Sequence, residues 1–292
     1  MTDVAARTDP GLVRESNEDR WLTRTYGGGV TLIAVADGVG GEAGGEIAST
    51  AAVEALSRSF APPSFRESAR VALGSAVQDA NAAVLKAAAD ERFARAATTL
   101  VAAAIRGREA AVANLGDSRA YLVRGRTVRQ LTTDHSGDTA HGITRFLGDA
   151  RGVQPDIFVE TLQPGDRLVL CSDGLTRHVA DDEIAAAMRD APAKAADALV
   201  ALAKARGGLD NVTVVIYAAR RPAVSRALAG TLILALLILV GIVGAMGALL
   251  ATPVPVPPAA SASPSASPLP SPTAAPTPTD SPSVAPTPSA SP

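Results

Sequence analysis

Thr31-Leu32-Ile33-Ala34-Val35-Ala36-Asp37-Gly38 is an apolar run that stops on an aspartate and a glycine. A short run without polar alternation, closed by turn residues, fits a strand buried on both faces. The pattern recurs. Arg167-Leu-Val-Leu-Cys-Ser172 runs into Asp173-Gly174, Ala111-Val-Ala-Asn-Leu-Gly116 runs into Asp117, and Asp210-Asn211 opens the run Val212-Thr-Val-Val-Ile-Tyr217. One Asp-Gly pair alone is ordinary hairpin-turn chemistry. Four aspartates, each at the end of such a run, are better explained as carboxylates on rigid supports, and with Glu18 they make a site for two divalent metals. Mg²⁺ and Mn²⁺ take oxygen ligands in near-octahedral geometry, and glycines beside the ligands let the backbone approach the ion.

Working outward, residues 21–26 and 30–36 read as two strands joined by the Gly27-Gly28-Gly29 turn. A Gly-rich stretch, 38–45, leads into a helix over 46–57. A second helix over 65–89 is rich in Ala, with Val71, Val77 and Val84 on one side. Strands are expected at 98–105, 109–114, 119–123 and 127–131, with Gly107 and Gly125 marking tight connections. After a loop over 134–152 come strands at 157–162 and 167–171, helices at 181–188 and 193–205, and a last strand at 212–217. Antiparallel runs of strands with helices grouped between them predict an α+β fold, two sheets packed together with helices outside.

Composition divides the chain. It has 292 residues, 27 Lys and Arg against 29 Asp and Glu, and a formal net charge of −2. Every basic residue, and every acid except Asp280, lies before residue 227, so the folded domain is expected over 1–219. A near-neutral balance and 3% aromatic residues give no basic or stacking face for nucleic acid. One cysteine, Cys171, rules out an intramolecular disulfide framework and suits a reducing compartment. Residues 227–250 carry no charge and only small or aliphatic side chains. As a helix they would reach ~36 Å, enough to cross a ~30 Å hydrocarbon core with some tilt. Arg220, Arg221 and Arg226 precede this stretch within the basic segment 220–226, and no basic residue follows it. The expectation is a single-pass membrane protein with its large N-terminal domain cytoplasmic and its tail, 251–292, outside. That tail carries 14 of the 21 prolines among Ala, Ser and Thr, and is expected to be disordered and partly polyproline-II.

Taken in order, Arg14-Glu-Ser-Asn-Glu18-Asp19, Val35-Ala-Asp37-Gly38-Val-Gly-Gly41, Gly116-Asp117-Ser118-Arg119, Cys171-Ser-Asp173-Gly174 and Asp210-Asn211 resemble the metal-dependent type 2C serine/threonine protein phosphatases, most closely bacterial members with a membrane anchor. Leu131-Thr-Thr-Asp-His-Ser136 and Ile143-Thr-Arg-Phe-Leu-Gly148 are similar to the family too. The resemblance implies a four-layer α-β-β-α sandwich around two central antiparallel sheets. It implies that Asp37 bridges two metals, Mn²⁺ or Mg²⁺, with Asp173 and Asp210 on the first and Glu18 and the Gly38 carbonyl on the second. Asp117 would hold a weaker third metal, Asp19 would lie just outside the ligands, Asn211 would orient Asp210, and Arg14 would bind the phosphate. The implied reaction is hydrolysis of phosphoserine and phosphothreonine on cytoplasmic proteins, by a metal-bridging hydroxide attacking phosphorus in line. A membrane serine/threonine kinase is the implied counterpart.

One departure stands out: only six residues, 137–142, separate Ser136 from Ile143, where bacterial relatives carry a longer flap. This predicts an open, weakly selective site. Two other readings compete. Cys171 and Arg177 have the Cys-x₅-Arg spacing of thiolate phosphatases, although Asp173 would put a carboxylate inside that loop. The other is a membrane-tethered pseudophosphatase that binds phosphoproteins without hydrolysing them. Oligomeric state is left open.

Overall fold

The computed structural model describes residues 3–40, 44–62, 69–137, 142–219 and 237–247. Met1–Ala223 forms one compact unit and Val224–Pro292 a second. In the first unit, β1 (Asp3–Asp9), β12 (Val212–Ala218), β11 (Arg167–Cys171), β8 (Arg119–Arg124) and β9 (Thr127–Gln130) form one antiparallel sheet in that order. The other runs β10 (Asp156–Thr161), β7 (Glu109–Leu115), β6 (Leu100–Arg106), β3 (Val30–Ala36) and β2 (Arg20–Thr25). A small third ladder pairs β4 (Gly38–Val39) with β5 (Ala97–Thr98).

Every residue of β3 is buried, as the unbroken apolar run requires, because both faces of its sheet are covered. Ile33 and Val35 join Val101, Val112, Leu122, Leu168, Leu170 and Val215 in a core between the two sheets. Leu32, Ala34 and Ala36 point the other way, into a core with α1 (Gly44–Ser59) and α2 (Ala69–Ala87). A third core joins Val169, Cys171, Val212, Val214 and Ile216 to α3 (Asp173–Thr176), α4 (Asp181–Ala187) and α5 (Pro192–Ala205). Three cores in a row separate four layers, helices on the outside and sheets within. Each fully buried Leu, Ile or Val adds ~1.5–3 kcal/mol, and the alanines of β6 and α2 let helix and sheet approach closely.

Several expectations need correction. β1 was not foreseen. Val71 is exposed while Val77 and Val84 are buried, because six residues are about 1.7 helical turns and turn Val71 away from the buried face. That face is Ala69, Ala72, Leu73, Ala76, Val77, Ala80 and Val84, at spacings of three and four. α1 begins two residues earlier than expected, and α3 is an additional short helix starting on Asp173 itself.

In the second unit, 237–247 is helical with exposed side chains. Among the described residues, no helix is long and apolar enough to cross a membrane. The rest of the expected span, 227–236 and 248–250, lies outside the described residues, as do the basic segment 220–226 and the tail 251–292.

Candidate metal centre and active site

The antiparallel register brings the acidic residues to one end of the sheets. Arg20 at the start of β2 lies opposite Ala36 at the end of β3, so Glu18 and Asp37 are neighbours. Cys171 at the end of β11 lies opposite both Arg119 and Val214, which draws Asp117, Asp173 and Asp210 together at the matching end of the other sheet. There Arg14, Glu18, Asp37, Gly38, Asp117, Asp173, Asp210 and Asn211 line a single cavity of about 580 Å³. Val13, Val39 and Ile143 supply apolar wall, and no histidine lines it among the described residues.

Asp37 is held through its backbone. The Asp37 N–H donates to Thr99 Oγ1 at 3.0 Å, and its carbonyl accepts from the Thr99 N–H at 2.9 Å and from Thr98 Oγ1 at 2.8 Å. Thr99 Oγ1 also pairs with Ser118 Oγ at 2.7 Å, tying this strand end to the Asp117 turn. Glycine is needed at position 116, with φ +109°, because a Cβ there would stand 2.6 Å from Thr99 Cγ2. Gly174 is under a similar constraint: an added Cβ would lie 2.0 Å from the Asn211 carbonyl oxygen, so α3 must meet the start of β12 through hydrogen alone.

Asn211 touches Asp210 and also reaches further. Its side-chain Oδ1 accepts from the Glu18 N–H at 2.8 Å, and its Nδ2 donates to the Pro10 and Ser16 carbonyls at 3.0 and 2.9 Å. The amide therefore fixes the segment that carries Glu18, and only the Asn211 backbone N–H reaches Asp210, at 3.0 Å to Oδ1. Ser49 Oγ completes the hold on Glu18, donating to its carbonyl at 2.6 Å. Asp19 is buried behind the cavity and accepts from Ser172 Oγ at 2.7 Å.

Electrostatics mark the cluster as short of positive charge. Burial, reinforced by Asp19, Asp173, Asp117 and Asp210, pushes the Asp37 carboxyl well above the usual range. Burial likewise raises Asp19 to about 7 and Asp173 to about 6, the latter against the pull of Arg177. Glu18 and Asp117 are also raised, again chiefly by burial. Among the described residues, the buried oxygens Asp19 Oδ1 and Asp117 Oδ1 have no hydrogen-bond partner. Oxygen-only donors, mutual repulsion and unsatisfied carboxylate oxygens fit hard divalent cations.

The carboxylates ring the cavity without closing on a point, since among the described residues no three acidic, His or Cys side chains form a chelating group as they stand. Two are held by arginines instead. Arg14 grips Asp210 with two nitrogens, Nε to Oδ1 and Nη2 to Oδ2, both at 2.9 Å. That bond is the main reason the Arg14 pKa is raised. Arg177 bonds Asp173 and reaches Asp210 Oδ2 at 3.3 Å. Sequence reasoning missed Arg177 as a partner of these acids. The pairing depends on α3, which the sequence reading did not expect: a helix starting on Asp173 puts position 177 one turn on, on the same face.

Cys171 stands apart from this chemistry. Its side chain is fully buried in the core under α3–α5, burial pushes its thiol up to about 12, and it does not line the cavity. A thiolate nucleophile needs the opposite environment. The segment expected to form a shortened flap closes at its base, where Ser136 bridges Ile143 and the Thr144 N–H donates to the His135 carbonyl at 2.8 Å. Its tip, 138–141, lies outside the described residues.

Known proteins share this fold. The family model described as protein phosphatase 2C matches residues 13–206. The serine/threonine phosphatase stp of Listeria welshimeri serovar 6b is 33% identical, over 72% of this chain and 93% of its own length. Among solved structures, the S. agalactiae serine/threonine phosphatase superposes with a TM-score of 0.70 at 31% identity, covering 74% of this chain and 99% of that one. The catalytic domain of the serine/threonine protein phosphatase PstP, solved in complex with two manganese ions, gives 0.67 at 35% identity over 75% of this chain and 99% of its own. The matched segment contains Arg14, Glu18 and the strand-end aspartates Asp37, Asp117 and Asp173, together with most of the two sheets that carry them, and the chain belongs to the protein phosphatase 2C family.

Proposed function

We propose that the domain removes phosphate from phosphoserine and phosphothreonine in proteins, using two divalent cations, Mn²⁺ or Mg²⁺, with a third and weaker one at Asp117. The observation that carries this reading is the ring of Glu18, Asp37, Asp117, Asp173 and Asp210 around one cavity with Arg14 on its wall. Asp37, Asp173 and Asp210 would hold the first cation, and Asp37, Glu18 and the Gly38 carbonyl the second. The two manganese ions of the related PstP structure support that number. Cations bound there supply the positive charge that acidifies water and attracts a phosphoryl group.

The chain's own residues bind and orient. Arg14 has a planar fork that fits two phosphoryl oxygens, and its side chain is 55% exposed, so it can turn from Asp210 to a substrate phosphate. Asn211 and Ser49 keep Glu18 in place, and Thr99 keeps Asp37 in place. Val13, Val39 and Ile143 offer apolar contact to the residues flanking the phosphorylated side chain.

The test is phosphate release from a phosphothreonine peptide with Mn²⁺ and with EDTA, beside Asp173→Ala and Cys171→Ser. Activity that needs metal, is lost in Asp173→Ala and survives Cys171→Ser is the expected result. Loss in Cys171→Ser with indifference to EDTA would restore the thiolate reading. A folded protein silent under every condition would be a phosphoprotein-binding module.

The apolar stretch 227–250, with Arg220, Arg221 and Arg226 before it, supports a single membrane span, a cytoplasmic domain and an external tail. Substrates would then include targets of a membrane serine/threonine kinase. The full chain should sediment with membranes and resist high-salt extraction, whereas a chain ending at residue 219 should not. Equal solubility of the two would sink the anchor.

A further inference from the structure

Arg177 sits one helical turn beyond Asp173, and its guanidinium bonds Asp173 Oδ2 while its Nη1 lies 3.3 Å from Asp210 Oδ2. Asp210 Oδ2 also accepts from Arg14 Nη2 at 2.9 Å, so two arginines converge on one carboxylate oxygen. Asp173 and Asp210 are the pair assigned above to one divalent cation. The same oxygens therefore have two claimants, and both are positive. A guanidinium within bonding reach of an oxygen repels a divalent ion seeking that oxygen, most strongly where water is scarce. Arg177 has somewhere else to go. Its side chain is 37% exposed and lines the cavity, while the neighbouring Leu175 is fully buried and anchors α3.

We infer that Arg177 is an internal cation that competes with the divalent metal for Asp173 and Asp210 and so sets the metal concentration at which the site fills. The inference rests on the metal-centre reading proposed above. It also gives a role to an arginine that the Cys-x₅-Arg spacing had assigned to a thiolate, and the buried Cys171 leaves it free for this one.

The experiment titrates Mn²⁺ calorimetrically into the chelator-stripped full chain and into Arg177→Gln, and melts each protein with EDTA and with Mn²⁺. Residues just outside a metal's ligands shift affinity by about 10–100-fold, and removing a competitor should act in the favourable direction. Arg177→Gln should therefore bind Mn²⁺ at least about tenfold tighter. Its melting temperature in EDTA should fall, because two carboxylates lose a neutralising partner, and its rise on adding Mn²⁺ should exceed that of the unaltered chain. Equal or weaker Mn²⁺ affinity in Arg177→Gln overturns the inference, since Arg177 would then be a bystander or a clamp that orients the ligands. Absence of Mn²⁺ binding to the unaltered chain overturns the metal centre itself and this inference with it, so the two failures are distinct. If Arg177→Gln does not fold, Arg177→Lys keeps the charge but loses the two-pronged grip. It should bind Mn²⁺ more tightly than the unaltered chain, and unchanged or weaker affinity would overturn the inference.

Discussion

Asp37→Asn is expected to lower phosphate release by about 10³-fold or more while raising the melting temperature of the protein in EDTA. The two effects share one cause. Asp37 is surrounded by Asp19, Asp173, Asp117 and Asp210, so its carboxylate is opposed by burial and by four like charges. Asparagine keeps the shape and removes the charge, which relieves that repulsion. A gain of ~1–2 kcal/mol would raise the melting temperature of a domain this size by about 2–8 °C. The same charge is what two cations would share, and removing a single electrostatic contributor from an active site already costs about 10²–10³-fold. A ligand common to both ions should cost at least the upper end of that range. Phosphate release at saturating Mn²⁺ and a thermal melt in EDTA check the pair. A variant that keeps more than a tenth of the activity would remove Asp37 from the reaction.

Stability should also depend on pH in a way that metal reverses. Asp19 and Asp173 have folded pKa values of about 7 and about 6 against an unfolded value of 3.8, and Asp37 is raised as well. The folded state therefore binds more protons than the unfolded state across this interval. Unfolding free energy must fall as pH rises. The contribution is fully present below about pH 4 and is lost as pH climbs through the folded values near 6 and 7. Each tenfold difference in proton affinity between the folded and unfolded chain is worth ~1.4 kcal/mol, so the loss is on the order of a few kcal/mol. In EDTA, the melting temperature should therefore be lower at pH 8 than at pH 5. Mn²⁺ binds the deprotonated carboxylates, so its stabilisation should grow over the same interval. Asp19→Asn should flatten the slope in EDTA. A melting temperature in EDTA that rises from pH 5 to pH 8, or an unchanged slope in Asp19→Asn, would count against this account.

The acid–base partners elsewhere act in another window. Burial of Asp166 is outweighed by Arg124, and that of Asp156 by His135 and Arg145, so both carboxyls are held below their usual value. Their stabilisation is present above the unfolded value and is lost only as pH falls further. The interval from pH 5 to pH 8 therefore reports on the raised acidic cluster rather than on these pairs.

Much of the fold was legible because strand burial writes itself into composition. β3, β6, β7, β11 and β12 are apolar along nearly their whole length, since sheet and helix cover them on opposite faces, and the aspartates beside them stand out by contrast. Those contrasts named Asp37, Asp117, Asp173 and Asp210 as a group beside Glu18, and the family resemblance added the Gly38 carbonyl. Other features were hidden because they depend on partners distant in sequence. β1 is a half-exposed edge strand, Asp-Val-Ala-Ala-Arg-Thr-Asp, with no periodic apolar face, and it is a strand only because β12 pairs with it from Asp3↔Ala218 to Asp9↔Val212. Asn211 reads as a neighbour of Asp210, yet its side chain reaches back to Glu18 and Ser16.

The amino-acid sequence by itself determined which residues can be strands, which end them, and which side chains bring oxygen and positive charge to the chemistry. Those properties are local, set by periodicities of two and 3.6 residues and by the short reach of a turn. Only the tertiary structure decided that five acids from both halves of the chain face one cavity, that Arg14 and Arg177 meet on Asp210, and that Cys171 is sealed in a core. The physical reason is register. Antiparallel pairing fixes which strand ends coincide, and that alignment depends on contacts between segments far apart in sequence, which no local window of the chain contains.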